Sequence, residues 1–260
     1  MRIMIAIRAL VLLAAMLVGA TSVQAQAVSG QGTWETTLLG RDIGLNAVAA
    51  TDASAVYLYD ATLNVTWLRN ANVNGAMNWA TANTWAANLV TGSGGTAISD
   101  WRLPTMADPA AACNFVGLSG TNCGYNVATS TSEMASLFFN TLGNKSYYDT
   151  SGNAPQAGWG LTNTGSFQNM RSHVYWSGTE EVLYPNNGWY FDTTSGLQYA
   201  FDKAGQLSAM AVHAGDVGSA VTPVPEPETY AMLLAGLGLI GAVVRSRRSD
   251  NALGATSCES

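Results

Sequence analysis

The residues that most often carry catalysis are sparse in this sequence. The chain contains only two histidines, His173 and His213, and each adjoins a run of strand-forming residues, where a structural role is expected. A Ser-His-Asp arrangement is spatial and stays open, but the nucleophile-elbow pattern Gly-x-Ser-x-Gly does not occur. The adjacent carboxylates Glu180 and Glu181 would point to opposite faces of a strand. We therefore expect a protein that is not an enzyme.

Metal and cofactor chemistry has equally little support in the residue pattern. Aspartates and asparagines are present, yet no Asp-x-Asp-x-Asp-Gly loop of the calcium-binding type occurs. We expect no metal and no cofactor. The formal net charge of −6 repels phosphate backbones, so nucleic acid is excluded as an expected partner.

Aromatic residues are the strongest chemical signal, with eight tryptophans and ten tyrosines. Aromatic faces stack on sugar rings, and amide side chains bond sugar hydroxyls. Most tryptophans should be buried, because they cover a large apolar area and need only one N–H partner. Two segments without an apolar period are expected to be exposed loops that bind a ligand. Their candidate residues are Trp159, Tyr184, Asn186, Asn187 and Trp189.

Two cysteines lie close together around a glycine-rich segment. Cys113 and Cys123 enclose nine residues, and in an oxidising compartment such a pair is expected to form a disulfide. Free thiols or half of a metal site are the alternatives. Cys258, beyond the predicted anchor, is expected to stay reduced.

The N-terminus has the features of a secretory signal peptide over residues 1–27. Arg2 and Arg8 precede an unbroken run of apolar or small residues at 9–20, and a small-residue processing site follows at Ala25-Gln26-Ala27 or one step earlier. A membrane anchor that is never cleaved is the alternative. We expect export through the Sec machinery.

The C-terminus predicts a second targeting segment. A proline-rich linker over residues 218–229 precedes an uncharged stretch at 230–244, and an arginine cluster closes the segment at residue 248. As a helix the stretch rises about 22 Å, which is short of the ~30 Å hydrocarbon core but able to anchor in the inner membrane with its flanking residues. The arginines favour a cytoplasmic end, which places the body outside. A buried core helix is the alternative.

The linker contains a recognisable sorting motif, which consists of Val224, Pro225, Glu226 and Pro227. Together with the apolar run and the arginines, it resembles the PEP-CTERM sorting tail. The resemblance implies recognition by an exosortase, a membrane transpeptidase of exopolysaccharide-producing Gram-negative bacteria. The tail at 249–260 departs from this pattern.

The body between these segments predicts an α+β fold with long irregular loops. Apolar spacing predicts a helix over residues 78–89. A capping box, with Ser130 as the cap and Glu133 reaching back, predicts a second helix that ends before Gly143. Strands are expected at 55–60 and 64–68, and an antiparallel meander at 174–177, 188–192, 198–202 and 207–213.

A second resemblance follows from six motifs that occur in order within residues 57–217. They are Thr66-Trp67-Leu68-Arg69, Met77-Asn78-Trp79-Ala80, Asp100-Trp101-Arg102-Leu103-Pro104-Thr105, the helix over 134–144, Tyr175-Trp176-Ser177-Gly178 and Ala211-Val212-His213-Ala214-Gly215-Asp216. They are similar to the Lcl C-terminal domain-like family. The resemblance implies a C-type-lectin-like fold and binding of a sulfated polysaccharide. His213 and Ala214 replace the arginine and proline usual in the last motif, and the catalytic cysteines of the related formylglycine-generating enzymes have no match. Tyr184 replaces the acid or amide that precedes the proline in calcium-dependent lectins.

The expected organisation is therefore one exported domain between two targeting segments. Residues 28–56 form an N-terminal strand or linker region, and residues 57–217 form the ectodomain. We expect a non-enzymatic protein that is first anchored in the inner membrane, is processed by exosortase, and then binds exopolysaccharide or another glycan at the cell surface or in the matrix of a biofilm. An exported glycan-active enzyme and a structural matrix component without a defined ligand are the alternatives.

Overall fold

A computed structural model of the chain describes residues 26–111, 113, 118 and 121–219. They form few helices and two antiparallel sheets, which confirms the α+β prediction. In chain order the elements are α1 (Trp34–Thr37), β1 (Leu38–Arg41), β2 (Ala47–Val48), β3 (Tyr57–Asp60), β4 (Val65–Leu68), α2 (Trp79–Ala87), β5 (Gly124–Tyr125), α3 (Glu133–Ala135), which continues as a π-helix (Ser136–Thr141), β6 (Val174–Glu180), β7 (Asn187–Asp192), β8 (Leu197–Asp202) and β9 (Val212–Ala214). The predicted signal peptide up to residue 25, the sorting motif and the anchor lie outside the described residues.

The first sheet has the strand order β2-β1-β3-β4-β9. Its centre is the predicted hairpin β3–β4, in which Tyr57 lies opposite Leu68 and Asp60 opposite Val65. Strand β1 pairs along the other edge of β3. The region 28–56 therefore contributes two strands to the same sheet as the hairpin.

The second sheet has the strand order β5-β8-β7-β6. Strands β6, β7 and β8 form the predicted antiparallel meander. Strand β5 adds a short edge, with Tyr125 opposite Leu197. A bulge interrupts the pairing of β6 with β7 between Trp176 and Glu180.

The prediction that residues 207–213 form the fourth meander strand is wrong. Leu207 makes an isolated bridge with Met77, while Val212 joins the first sheet opposite Trp67. The intervening side chains are all nearly inaccessible to solvent. Burial at every position is expected of a segment that passes from one sheet to the other through the core. In a half-exposed strand, buried and exposed side chains would alternate.

Helix α2 begins where the sequence predicts. The Asn78 side chain accepts a hydrogen bond of 2.8 Å from the Thr81 N–H, as an N-cap does. Ala82 and Ala86 are the buried residues of this helix. They pack in a cluster with Leu103 and Trp176.

The predicted capping box of the second helix is wrong, although the helix exists. Ser132, rather than Ser130, is the N-cap and accepts from the Ala135 N–H. The carboxylate of Glu133 instead forms a bidentate pair with Arg102, at 2.6 and 2.7 Å. A guanidinium binds a carboxylate more strongly than a backbone N–H does, which explains the exchange of partners.

The main core lies between the two sheets and the π-helix. Met134, Leu137, Phe138 and Leu142, the predicted apolar face, are all buried there. Gly143 ends the helix at φ +65°, and a Cβ at this position would lie 2.4 Å from the backbone nitrogen of Gly32. Within the described ranges, no helix has the length and apolar content needed to cross a membrane.

Candidate functional site

The predicted ligand-binding residues lie in two separate places, at opposite ends of β7. Tyr184 and Asn186 belong to the β6–β7 connection, and Asn187 is the first residue of β7. Trp159 lies near the β7–β8 turn at the other end, since a Cβ at the adjacent Gly160 would approach the Thr194 carbonyl to 2.9 Å. The six residues of β7 separate these ends by roughly 17 Å. The prediction combined two different surfaces.

Trp189 does not lie in an exposed loop, and this part of the prediction is wrong. It is a central residue of β7 with 0% exposure, packed in a cluster with Met106, Cys123 and Ala200. Its indole N–H donates to the Asp108 carboxylate at 2.7 Å. A tryptophan with its ring and N–H satisfied inside the protein is unavailable to a ligand.

The β6–β7 connection presents an apolar tip on a firmly held base. Val182, Leu183 and Tyr184 are 61%, 45% and 59% exposed. The Val182 N–H donates to Asp108, and the Asn187 side chain donates to Glu181. The stem is therefore ordered by side chains that point inward.

The base of the β6–β7 connection also contains the cation of Lys203. The Lys203 ammonium bonds Glu180 and the Pro185 carbonyl, and it lies 4.4 Å from the ring centroid of Trp79. These contacts fix the base of the loop and leave the Tyr184 ring at its tip in solvent.

Trp159 is the end of a row of aromatic side chains that the sequence did not reveal. It is 38% exposed, and its ring meets Tyr147 edge-to-face with centroids 4.8 Å apart. Tyr147 contacts Tyr148 at 5.1 Å, and Tyr148 contacts Tyr125 at 4.9 Å. Tyr147 and Tyr148 are half-buried, while Tyr125 is buried.

The row continues onto the second sheet. Tyr125 lies opposite Leu197, and Tyr199, two residues further along β8, projects from the same face. Tyr199 is opposite Tyr190 on β7, and both are half-buried. We call this set the aromatic surface; its members are Tyr125, Tyr147, Tyr148, Trp159, Tyr190 and Tyr199.

Two phenols of the aromatic surface, those of Tyr125 and Tyr190, are weaker acids than a free tyrosine. Burial, with the nearby Asp192 carboxylate and neighbouring phenols adding, raises the pKa of Tyr190 well above its ordinary value. Burial likewise raises the pKa of Tyr125, with contributions from Tyr148 and Asp192. Both phenols therefore keep their protons at neutral pH and remain able to donate hydrogen bonds.

The loop that carries Tyr147, Tyr148 and Trp159 is closed by its own hydrogen bonds. Asp149 accepts from the backbone and side chain of Asn153, at 2.8 and 2.9 Å. Gln156 bonds the backbone of residues 146 and 147 from both its side chain and its N–H. The Gly160 N–H donates to the Lys145 carbonyl. This closure positions the rings before any ligand arrives.

Three residues of the motifs that carry the second family resemblance make structural contacts. Arg102 holds Glu133 at the start of α3, as described above. The Trp176 indole donates to the Met77 carbonyl at 2.9 Å, and the Gly178 N–H donates to the Pro104 carbonyl. These contacts of Arg102, Trp176 and Gly178 hold together parts of the fold that are distant in the chain.

The remaining predictions concern the two cysteines of the body, the two histidines and metal binding. The Sγ atoms of Cys113 and Cys123 are joined in a disulfide. His173 is exposed and precedes β6, while His213 lies in β9, in the other sheet. Among the described side chains, no cluster of three or more His, Cys, Asp or Glu residues could hold a metal ion.

Comparison with known proteins bears on the C-terminal segment. A family profile described as the PEP-CTERM protein-sorting motif matches residues 223–248. This chain carries an exosortase sorting signal. The match includes the predicted motif Val224-Pro225-Glu226-Pro227, and it supports an exported, surface-directed protein that exosortase processes. No curated protein matches the chain.

Proposed function

We propose that this exosortase-sorted protein binds a glycan at the cell surface or in the extracellular matrix, and that the aromatic surface is its binding site. The observation that carries the proposal is the unbroken row of rings from Trp159 through Tyr147 and Tyr148 to Tyr125. A C-type-lectin-like fold for the body is part of the same proposal, since helices and long loops flank its antiparallel sheets.

The row suits an extended chain of sugars better than a compact ligand. Successive ring centroids are about 5 Å apart, so the rings provide apolar contact over several neighbouring positions. The protonated phenol of the half-buried Tyr190 provides a donor for sugar hydroxyls. Because the loops are closed by internal hydrogen bonds, little ordering entropy would be lost on binding.

Charge favours a neutral glycan. The chain has six more acidic than basic residues, and Asp192 lies beside the phenols of Tyr190 and Tyr125. A sulfated polymer would meet a repulsive field at this surface. We therefore propose a neutral polysaccharide rather than the sulfated ligand that the family resemblance implies.

Sorting determines where this binding takes place. We propose that residues 230–244 hold the body on the periplasmic side of the inner membrane until exosortase acts at the Pro225-Glu226-Pro227 motif. The processed protein then reaches the cell surface or the exopolysaccharide matrix. Binding to a neutral polymer would retain it there.

The test is the affinity of the exported protein for neutral and sulfated polysaccharides, measured by calorimetry after a glycan array has identified a ligand. Trp159→Ala should weaken binding about tenfold, since stacking on an aromatic side chain typically contributes about 1–3 kcal/mol. Tyr147→Phe should bind almost normally, because it keeps the ring and loses only the hydroxyl.

Tyr184→Ala is the matched control, since it removes an exposed ring at the opposite end of β7. Equal loss of affinity in Tyr184→Ala and Trp159→Ala would contradict the site. Release of smaller oligosaccharides during the measurement would instead identify a glycan-active enzyme. Absence of binding to every polysaccharide of the panel would favour a structural matrix component.

A further inference from the structure

The first sheet carries a second concave site, on the side of the protein that bears β9. We call it the His213 pocket; its volume is about 640 Å³, within the range typical of small-molecule sites. Tyr59 lies opposite Thr66, and Thr66 opposite His213, so the three side chains project from one face of the sheet. Tyr59 and His213 form the floor, and the rim includes Asn64, Ser99 and Asp100.

Two hydrogen bonds fix polar groups around this pocket. The Tyr59 hydroxyl donates to the Asn64 Oδ1 at 3.0 Å, and the Ser99 hydroxyl donates to the Asp100 Oδ2 at 3.1 Å. Within the described part of the chain, these bonds leave Asn64 Nδ2 as an available donor and Asp100 Oδ1 as an available acceptor. The side chains are therefore oriented and still have bonding capacity.

The imidazole of His213 adds a buried polar atom that lacks a partner. Its Nδ1 is inaccessible to solvent and forms no hydrogen bond with any described residue. The ring packs at a 65° angle against Trp101, with centroids 5.7 Å apart. Burying a ring nitrogen without a partner is unfavourable. Because Nδ1 is out of reach, a ligand in the pocket can bond the ring only through Nε2.

The pocket contains two carboxylates, of which only one is paired with a cation. Asp216 is paired with Arg41 through contacts of 2.5 and 3.0 Å. Asp100, by contrast, has no ion-pair partner among the described residues. An anion entering the pocket would therefore approach an uncompensated carboxylate. The buried Ile98 and Val217 and the half-buried Leu45 supply apolar walls.

We propose that the His213 pocket binds a neutral polyhydroxylated ligand, one or two sugar residues in size. Asn64 offers a donor, Asp100 an acceptor, and the Nε2 of His213 serves as either according to the tautomer of the ring. Hydroxyl groups act as both donor and acceptor, so a sugar satisfies all three groups together, whereas a simple cation would leave the Asn64 donor unpaired. The apolar walls contact the C–H faces of the ring. This inference does not depend on the aromatic surface, which belongs to the other sheet.

The test titrates the exported, exosortase-processed protein with glucose, galactose, mannose, N-acetylglucosamine and cellobiose while the imidazole signals of its two histidines are followed by NMR. His213 should shift saturably with at least one of these sugars, and exposed His173 should not. His173→Phe assigns the signals and serves as the matched control.

Two variants test the contacts without disturbing the fold. Asp100 has φ +60°, a conformation that asparagine also adopts readily. Asp100→Asn therefore keeps the backbone but leaves one acceptor oxygen, for which the Ser99 hydroxyl and the ligand compete. His213→Phe keeps a ring against Trp101 and removes the nitrogens. Each should weaken binding about fivefold to tenfold, the effect of losing one or two hydrogen bonds.

Tyr184→Ala, which lies outside both sites, should leave the His213 titration unchanged, and the His213 signal reports this pocket and not the aromatic surface. The inference is overturned if no sugar of the panel shifts His213 at millimolar concentration. It is also overturned if Asp100→Asn binds as tightly as the unsubstituted protein. If His213→Phe fails to fold, the wild-type titration and Asp100→Asn still decide the question.

Discussion

Replacing Trp189 by alanine should destabilise the protein strongly, although it was a candidate for sugar binding. The side chain has 0% exposure, and a buried tryptophan contributes about 150–250 Å² of contact area, or roughly 4–6 kcal/mol at 25 cal/mol per Å². Alanine also leaves the Asp108 carboxylate without its 2.7 Å donor. Measured truncations of large aromatic residues cost about 3–5 kcal/mol, and we expect a value near the top of that range.

The assay is thermal unfolding of the exported protein at neutral pH, followed by circular dichroism. For a protein of this size each kcal/mol corresponds to about 2–4 °C, so Trp189→Ala should lower Tm by about 10–15 °C. Trp189→Phe retains most of the ring and should lose less than half as much. Trp159→Ala removes a ring that is 38% exposed and should change Tm by no more than about 3 °C.

Equal destabilisation by Trp159→Ala and Trp189→Ala would refute the reasoning, since it would place both rings in the core. A Trp189→Ala variant that melts like the wild type would refute it as well. If a folded Trp189→Phe variant binds glycan less tightly while Trp159→Ala binds normally, the glycan-binding site lies at Trp189 on β7 and not at Trp159.

Three further outcomes follow from the contacts and the sorting signal. Replacing Cys113 and Cys123 together by serine should cost about 2–3 kcal/mol in denaturant unfolding, since the disulfide closes a short loop; unchanged stability would contradict this. Burial opposes ionisation of Asp108, but donors from Val182, Trp189 and Ala110 lower its pKa overall. Its contribution to stability is therefore present above the unfolded value of about 4 and is lost as pH falls through the lower folded pKa. Asp108→Asn should thus reduce the loss of stability below about pH 4, and an unchanged acid-unfolding profile would count against it. Alanine at Glu226 and Pro227 should leave unprocessed protein in the inner membrane, as fractionation and immunoblotting would show; normal release would contradict the sorting assignment.

Local signals in the sequence were sufficient for several elements. Asn78 marks the start of α2, and the short apolar stretches around Tyr57 and Val65, separated by turn residues, predict the β3–β4 hairpin. Each of these depends on residues near one another in the chain, where caps and turns act. The meander strands β6, β7 and β8 follow from the same kind of signal.

Other features depended on contacts between distant parts of the chain. Strand β7 has aromatic residues on both faces, so neither period nor composition distinguishes buried Trp189 from half-exposed Tyr190. Glu133 matched a local capping motif, yet its partner Arg102 lies 31 residues away. Competition between a local and a distant partner is decided by their relative strength, which the sequence pattern does not contain.

The aromatic surface itself is assembled from four separate regions of the chain. Its members come from β5, from the loop that contains residues 147, 148 and 159, and from β7 and β8. The adjacent pair Tyr147-Tyr148 in a polar loop was a signal that could have pointed to it. Only the fold, however, brings Tyr125 next to that pair and places Tyr199 beside Tyr190.

The most direct test of glycan binding is an NMR titration of the eight tryptophan indole N–H groups with a neutral oligosaccharide of the recognised glycan. Trp159 should be identified by the signal that Trp159→Phe removes. The proposal predicts that this signal shifts saturably, while the indoles of Trp176 and Trp189, which donate to Met77 and Asp108 inside the protein, stay in place. A saturable titration that leaves the Trp159 signal unmoved would contradict the assignment of the aromatic surface as the binding site.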